Sequence, residues 1–212
     1  GLVGSEMCIR DRINRELYME QITPFIDKPF VKVITGIRRC GKSVVLRLIR
    51  EELLRRGVSE DYIIYMNFES FEWIDMKEAK ALYAHIREAT KASGKYYILL
   101  DEIQEVTDWE KAVNAFLVDL DVDIYVTGSN SRLLSSEFST YLAGRYVAFH
   151  IMTLSFREYL LFHDLPLTIS VSDRKTEFLK YLRMGGFPAI HTANYDYCLL
   201  YTSPSPRDQR GS

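Results

Sequence analysis

The stretch "TGIRRCGKSVV", Thr35 to Val45, joins an apolar run to a run with helical spacing. Upstream, "VKVITG" (31–36) reads as a short buried strand. Downstream, "KSVVLRLIREELLRRG" (42–57) sets Val45, Leu46, Ile49, Leu53 and Leu54 at helical spacing, with Gly57 as a stop. Between them, Gly36, Gly41, Lys42 and Ser43 satisfy the pattern G-x-x-x-x-G-K-[ST] in full. At the ordinary frequency of glycine, chance would supply this pattern in roughly one chain of this length in a hundred. Its position at a strand-to-helix junction argues further against chance. Glycines at this spacing let the backbone curl so that successive amides and a helix N-terminus face phosphate groups. The cradle would comprise Gly36, Ile37, Arg38, Arg39, Cys40, Gly41, Lys42, Ser43 and Val44. Lys42 would reach the outer phosphates, and the Ser43 hydroxyl would bind Mg²⁺.

The rest of the chain fits an α/β frame around this junction. A polar, helix-like segment (13–26) precedes it. A second strand, "DYIIYMNFE" (61–69), is followed by a helix from about Asp75 to Ala92. "KYYILLDEI" (95–103) is almost wholly apolar, as a strand covered on both faces should be. A helix from about Trp109 to Leu120 leads to "DIYVTGS" (123–129). After Asn130 a short helix and a loop reach a fifth strand, "GRYVAFHIM" (144–152). Two helices, "LSFREYLLFH" and "DRKTEFLKYLRMGG", follow. Strands alternating with helices predict a parallel sheet with helices on both faces, the P-loop NTPase class.

Candidate chemistry gathers where the strands end. Asp101 closes the third strand beside the cradle, where its carboxylate can hold Mg²⁺ through Ser43 or water. Glu102 follows at once, and a second carboxylate there suits an attacking water. Ser129 and Asn130 end the fourth strand, placed to sense an outer phosphate or hold that water; the bland alternative is an N-cap for the next helix. Arg145, just before the fifth strand, could neutralise charge developing on a transferred phosphoryl group; a surface or salt-bridging arginine is the alternative. Arg38 and Arg39 raise the local positive potential, but a solvated basic loop or contacts to another domain explain each of them better. Cys40 reads as a small residue in the cradle, with sensitivity to oxidation as a second reading.

Bulk composition sets the outer limits. The chain of 212 residues is 47% apolar, enough for one globular core, and its net charge of −2 gives no general argument for nucleic acid or an anionic membrane. No apolar run approaches a membrane span, and the cytoplasm is the default compartment. Cys8, Cys40 and Cys198 are too few and scattered for a disulfide framework or a zinc site. The ends do not match the middle. Leu2 to Asp11 and Cys198 to Asp208 are translations of one DNA word read from opposite strands, a word that matches a sequencing-library transposon adaptor. Residues 1–12 and 198–212 are therefore expected to be non-native. Residues 13–190 would form the domain, and 191–197 would begin a truncated C-terminal region.

Taken together, "GIRRCGKS", "ILLDEIQEVTDWE", "VTGSNSRLL", "LAGRYVAFHIMTLSFREYL" and "GGFPAI" resemble the AAA-type P-loop ATPases, and more narrowly a prokaryotic ATPase-core family. The resemblance runs through nearly all of residues 13–190. It implies a sheet of strand order 5-1-4-3-2, ATP with Mg²⁺, and a C-terminal domain of poorly defined function. It also implies that Arg145 lies where such ATPases carry an arginine reaching a neighbouring subunit's γ-phosphate, and hence a homo-oligomer. The expected function is Mg-dependent ATP hydrolysis coupled to conformational change in the attached domain. The alternative is a nucleotide-gated binding module with negligible turnover, with DNA among the partners open to it. A GTPase is disfavoured by the lack of an N-K-x-D motif, and a small-molecule kinase by Glu102, which suits a water nucleophile.

Overall fold

A computed structural model describes residues 15–129, 133 and 141–192. Asn130, both adaptor-like ends and residues 193–197 lie outside them. The chain divides into two units, one ending at Thr153 and the other starting at Leu154.

In the first unit the strands are β1 (Val31–Gly36), β2 (Ile63–Asn67), β3 (Tyr96–Asp101), β4 (Val122–Gly128) and β5 (Tyr146–Ile151). All neighbours pair in parallel, in the order β2-β3-β4-β1-β5. This is the expected 5-1-4-3-2 sheet read from its other edge. The described helices of this unit are α1 (Glu16–Ile22), α2 (Lys42–Arg55), α3 (Ala79–Ala89) and α4 (Trp109–Asp119).

Strand alternation divides the apolar residues between two cores. Val31, Val33, Ile98, Leu100, Ile124 and Val126 share one face with Leu82 and Ile86 of α3 and Val113 and Phe116 of α4. Ile34, Tyr97, Leu99, Tyr125 and Phe149 share the other with Ile22 of α1 and Val45, Leu46, Ile49 and Leu53 of α2. Every residue of β1 and β3 is buried; β3 accordingly reads as a nearly continuous apolar run instead of an alternating one, while β1 also buries Lys32 and Thr35.

The second core admits one buried charge pair, near the N-terminal ends of the strands. Lys32 donates to Asp123, which also accepts from the Tyr125 hydroxyl (2.8 Å) and the Asp27 amide (2.9 Å). Burial pushes the Lys32 ammonium down, against the carboxylate of Asp123, which holds it up.

The helix expected over 75–92 is shorter. Residues Phe71–Met76 form a 3₁₀ segment that is non-helical at Trp73, and Ser70 caps it by accepting from the Glu72 amide (3.3 Å). Glu78 then runs extended to bridge Thr107, so α3 starts only at Ala79. The first expected helix likewise gives way to a 3₁₀ turn at Thr23–Phe25, where Pro24 supplies no amide to continue the ladder.

The second unit contains α5 (Phe156–Phe162), α6 (Val171–Met184) and a short α7 (Pro188–Thr192) that the sequence pattern did not disclose. Its "LSFREY" segment is a capping box. Ser155 Oγ accepts from the Glu158 amide (3.3 Å), and Glu158 accepts from the Ser155 amide (2.7 Å). Tyr159, Phe162, His163 and His191 pack ring against ring inside this unit.

Candidate active site

The junction between β1 and α2 has the form of a phosphate cradle. Gly41, the residue before α2, has φ 105° and ψ 22°, a left-handed conformation open to glycine at little cost. No described side chain caps the first turn of α2, which leaves its amides for an anion. Arg39 is also left-handed, at φ 65°. Ile37, Arg38 and Arg39 are exposed around the loop, whereas Cys40 and Lys42 are buried. Arg38 pairs with Glu69 (3.3 Å) in solvent, as a solvated basic loop would. Ser43 and Val44, in the first turn of α2, are half-buried.

Of the two readings of Cys40, a small residue within the cradle fits its surroundings and sensitivity to oxidation does not. The residue is wholly buried, and burial pushes its thiol up despite the nearby Lys42 and Arg15. A protonated, inaccessible thiol is a poor nucleophile.

Lys42 is 3% exposed, and its ammonium lies 3.2 Å from Glu102 Oε1, 3.3 Å from the Ile37 carbonyl and 3.4 Å from that of Gly36. Its charge is therefore turned back onto the loop and onto Glu102. Glu102 itself is left-handed (φ 54°, ψ 47°), a conformation that non-glycine residues avoid unless their surroundings enforce it. Here Thr127 of β4 does so. Its hydroxyl accepts from the Glu102 amide (2.9 Å) and donates to Asp101 Oδ1. One hydroxyl thereby fixes both carboxylates at the end of β3. The Tyr65 hydroxyl donates to the other Asp101 oxygen (3.1 Å). Burial and the adjacent carboxylate push the Tyr65 phenol up, so it remains a donor.

Register explains the convergence. Gly36 is the last residue of β1, Thr35 faces Gly128 across the β1–β4 pair, and Asn67 faces Asp101 across the β2–β3 pair. The cradle, both carboxylates and Ser129 thus share the C-terminal edge of the sheet. Ser129 is half-buried directly after β4, and its carbonyl accepts from the Leu133 amide (3.0 Å).

Arg145 does not belong to this group. Its carbonyl accepts from the amide of Val31, the first residue of β1, while the cradle follows the last. Five residues of strand separate the two edges, about 17 Å at the usual rise. The guanidinium instead binds Asn114 (2.7 Å) and the Tyr141 carbonyl (2.9 Å). A role for Arg145 at the phosphates of its own chain is therefore excluded by topology.

Four residues that the sequence reading passed over meet the site: Thr127, Tyr65, Gln104 and Arg15. Gln104 donates its carboxamide to Glu102 Oε2. Arg15, 2% exposed, donates to the Cys40 carbonyl in the cradle and to the Met152 carbonyl (3.0 Å) just past β5. The only signal for Gln104 was its place in "DEIQ"; Arg15 had none.

Comparison with known proteins agrees with this fold. The model of a family described as an AAA domain matches residues 28–160. An uncharacterized protein of Haemophilus influenzae is 43% identical over 183 residues, which make up 86% of this chain but 45% of that protein. The chain thus spans less than half the length of that relative. Among solved structures, a RuvB variant of Thermotoga maritima aligns with a TM-score of 0.55 at 14% identity, over 85% of this chain and 60% of that one. AMPPCP-bound DnaA of Aquifex aeolicus aligns with a TM-score of 0.53 at 16% identity, over 84% and 58%. Identities this low speak for the fold alone.

Proposed function

Because this chain belongs to the AAA domain family, we propose that it is a Mg-dependent ATPase in which Lys42 binds the outer phosphates and Glu102 directs a water onto the γ-phosphorus. The observation that carries this reading is the 3.2 Å pair between Lys42 and Glu102 at the mouth of the cradle. The cation meant for phosphate and the carboxylate meant for water meet at one point. A polyphosphate entering there takes Lys42 and leaves the carboxylate facing its outermost phosphorus. The amides of Gly36 to Val44 hold the phosphate chain. Glu102 accepts a hydrogen bond from the water as its oxygen bonds to phosphorus and the bond to the ADP oxygen breaks.

Ser43 and Asp101 suit Mg²⁺. Both offer hard oxygen donors, and Asp101 retains lone pairs beyond those engaged by Thr127 and Tyr65. The ion would neutralise charge shared between the outer phosphates. Ser129, and Asn130 beyond the described residues, are assigned to sensing the γ-phosphate. Arg145, exposed at the start of an edge strand, is open only to a neighbouring copy, so its catalytic use requires a homo-oligomer. Among the described residues no helix is long and apolar enough to cross a membrane, in keeping with a cytoplasmic ATPase that works on an attached C-terminal domain.

The test is ATP binding and steady-state hydrolysis by the purified protein and two variants. Lys42→Ala should lose Mg-ATP binding. Glu102→Gln should keep binding and lose turnover by about 10²-fold or more. Unchanged turnover in Glu102→Gln would refute the hydrolytic assignment. Tight binding with no turnover in the unmutated protein would favour a nucleotide-gated binding module.

A further inference from the structure

Glu102 is gripped from two sides, and only one grip can survive nucleotide. Lys42 holds Oε1 at 3.2 Å, and the Gln104 carboxamide holds Oε2. A phosphate that claims Lys42 leaves Gln104 as the remaining described side-chain donor on the carboxylate. We propose that Gln104 is a positioning residue for ATP hydrolysis, holding the Glu102 carboxylate aimed at the attacking water once Lys42 has turned to phosphate. The inference rests on the hydrolytic reading of Glu102.

The chemistry fixes which end of the amide faces Glu102. An ionised carboxylate only accepts hydrogen bonds, so the NH₂ must point to it and the carbonyl must point away. The carbonyl oxygen, Oε1, is buried and accepts no hydrogen bond from any described residue. Leaving a buried amide oxygen unsatisfied is destabilising, so the orientation is kept at a cost to stability. Such a cost fits a functional contact better than a packing one.

The amide also has little freedom to turn away. Gln104 is the middle residue of the 3₁₀ turn Ile103–Glu105, anchored by the wholly buried Ile103. Its Oε1 lies against Gly128, the last residue of β4, where an added Cβ would overlap that oxygen and the Leu133 side chain. The absent side chain at Gly128 is thus what makes room for the amide. The same strand carries Thr127, which fixes the Glu102 backbone. Backbone and carboxylate of Glu102 are therefore both set from the end of β4, next to Ser129.

Three variants separate donation from packing. Gln104→Ala removes the donor, and Gln104→Glu keeps the shape while setting a second carboxylate against Glu102. Gly128→Ala leaves Gln104 chemically intact but displaces it. For each, ATP affinity and kcat are measured beside the unmutated protein and Glu102→Gln. In parallel, the Gln104 side-chain amide signals are followed by ¹⁵N NMR with and without Glu102→Ala. All three variants should bind ATP within about threefold of the unmutated protein. Their kcat should fall about 10- to 100-fold, the scale of misplacing a reacting group by an ångström. The Gln104 amide signals should move on Glu102→Ala. Normal kcat in Gln104→Glu would reduce Gln104 to packing and overturn the proposal, as would amide signals indifferent to Glu102→Ala. Normal turnover in Glu102→Gln would instead overturn the assignment of Glu102, while the NMR result still reports the contact.

Discussion

Arg15→Met should weaken both the fold and the grip on ATP, because Arg15 ties the cradle to two distant parts of the chain. Its guanidinium is 2% exposed, donates to the carbonyls of Cys40 and Met152, and lies 5.4 Å from the centre of the Tyr18 ring. The Tyr18 hydroxyl in turn accepts from the Met152 amide (3.0 Å). The guanidinium also comes within 2.8 Å of where a Cβ on Gly41 would be, so it backs the residue that opens α2. Methionine fills similar space and donates nothing. Each hydrogen bond from a charged donor is worth about 1.5–3 kcal/mol, so two removed bonds cost about 3–6 kcal/mol. Relief from burying the charge returns part of this, and a net loss of about 3 kcal/mol is expected. For a chain of this size that lowers Tm by about 6–12 °C.

The effect on binding follows from the Cys40 carbonyl. Once unpinned, it lets the cradle sample forms whose amides do not converge, and apparent affinity falls with the competent fraction. A tenfold weaker Kd for Mg-ATP, about 1.4 kcal/mol, is the expected scale. Urea unfolding and an ATP titration measure the two effects separately. Arg15→Lys is the control, since a single ammonium cannot serve both carbonyls with the geometry of a planar fork; it should fall between the other two. A lowered Tm with unchanged ATP affinity would show that Arg15 braces the fold without shaping the cradle, and the reasoning would fail.

Asp123→Ala should destabilise the first unit by about 3–5 kcal/mol in urea unfolding, because it leaves Lys32 buried without its carboxylate. The double change Lys32→Met/Asp123→Leu should recover part of the loss, but not all, since the Tyr125 hydroxyl and the Asp27 amide still lose their acceptor; full additivity of the single changes would refute the coupling. In the second unit, burial holds His191 below its ordinary value of 6.5, between His163 (3.2 Å) and the Gly185 carbonyl (2.7 Å), with Tyr159 and Phe162 around the ring. The folded unit therefore binds a proton at His191 less readily than the unfolded chain does. Its stabilising share is whole above pH 6.5 and is lost as pH falls below it. Amide hydrogen exchange in α5 and α7 should be faster at pH 5.5 than at 7.5 after correction for intrinsic rates. His191→Phe should flatten that difference, and a profile unchanged by the substitution would refute the assignment.

What the chain discloses in advance follows from how each feature is encoded. The cradle was legible because glycine, lysine and serine at fixed spacing sit between a strand pattern and a helix pattern, all within one short stretch of chain. The parallel sheet was legible because strand patterns alternate with helix patterns along the chain, and because β3, buried on both faces, carries an apolar run from Tyr96 to Leu100. Thr127 escaped notice because threonine in a strand reads as an ordinary β-branched residue, and nothing local reveals that its hydroxyl serves Asp101 and Glu102. Arg15 lies 25 residues from Cys40 and 137 from Met152, a pairing that no periodicity records. Asn130 was read at the sheet edge from its place after β4 and lies outside the described residues.

Arg145 differs from these, because the chain did contain the information that misplaces it as a ligand of its own phosphates. In a parallel sheet every strand runs the same way, so residues just after strands gather at one edge and residues just before them at the other. Ligands bind at the first of these edges. Gly36, Asp101 and Gly128 each end a strand, whereas Arg145 directly precedes Tyr146, which begins β5. Once the five strands were assigned as parallel, the position of Arg145 followed without any coordinates. The chemistry of an arginine left open a role at its own chain's phosphates, and strand direction, a property of the whole sheet, rules it out within one copy. The same reasoning leaves a second copy as the only phosphate site that Arg145 could serve.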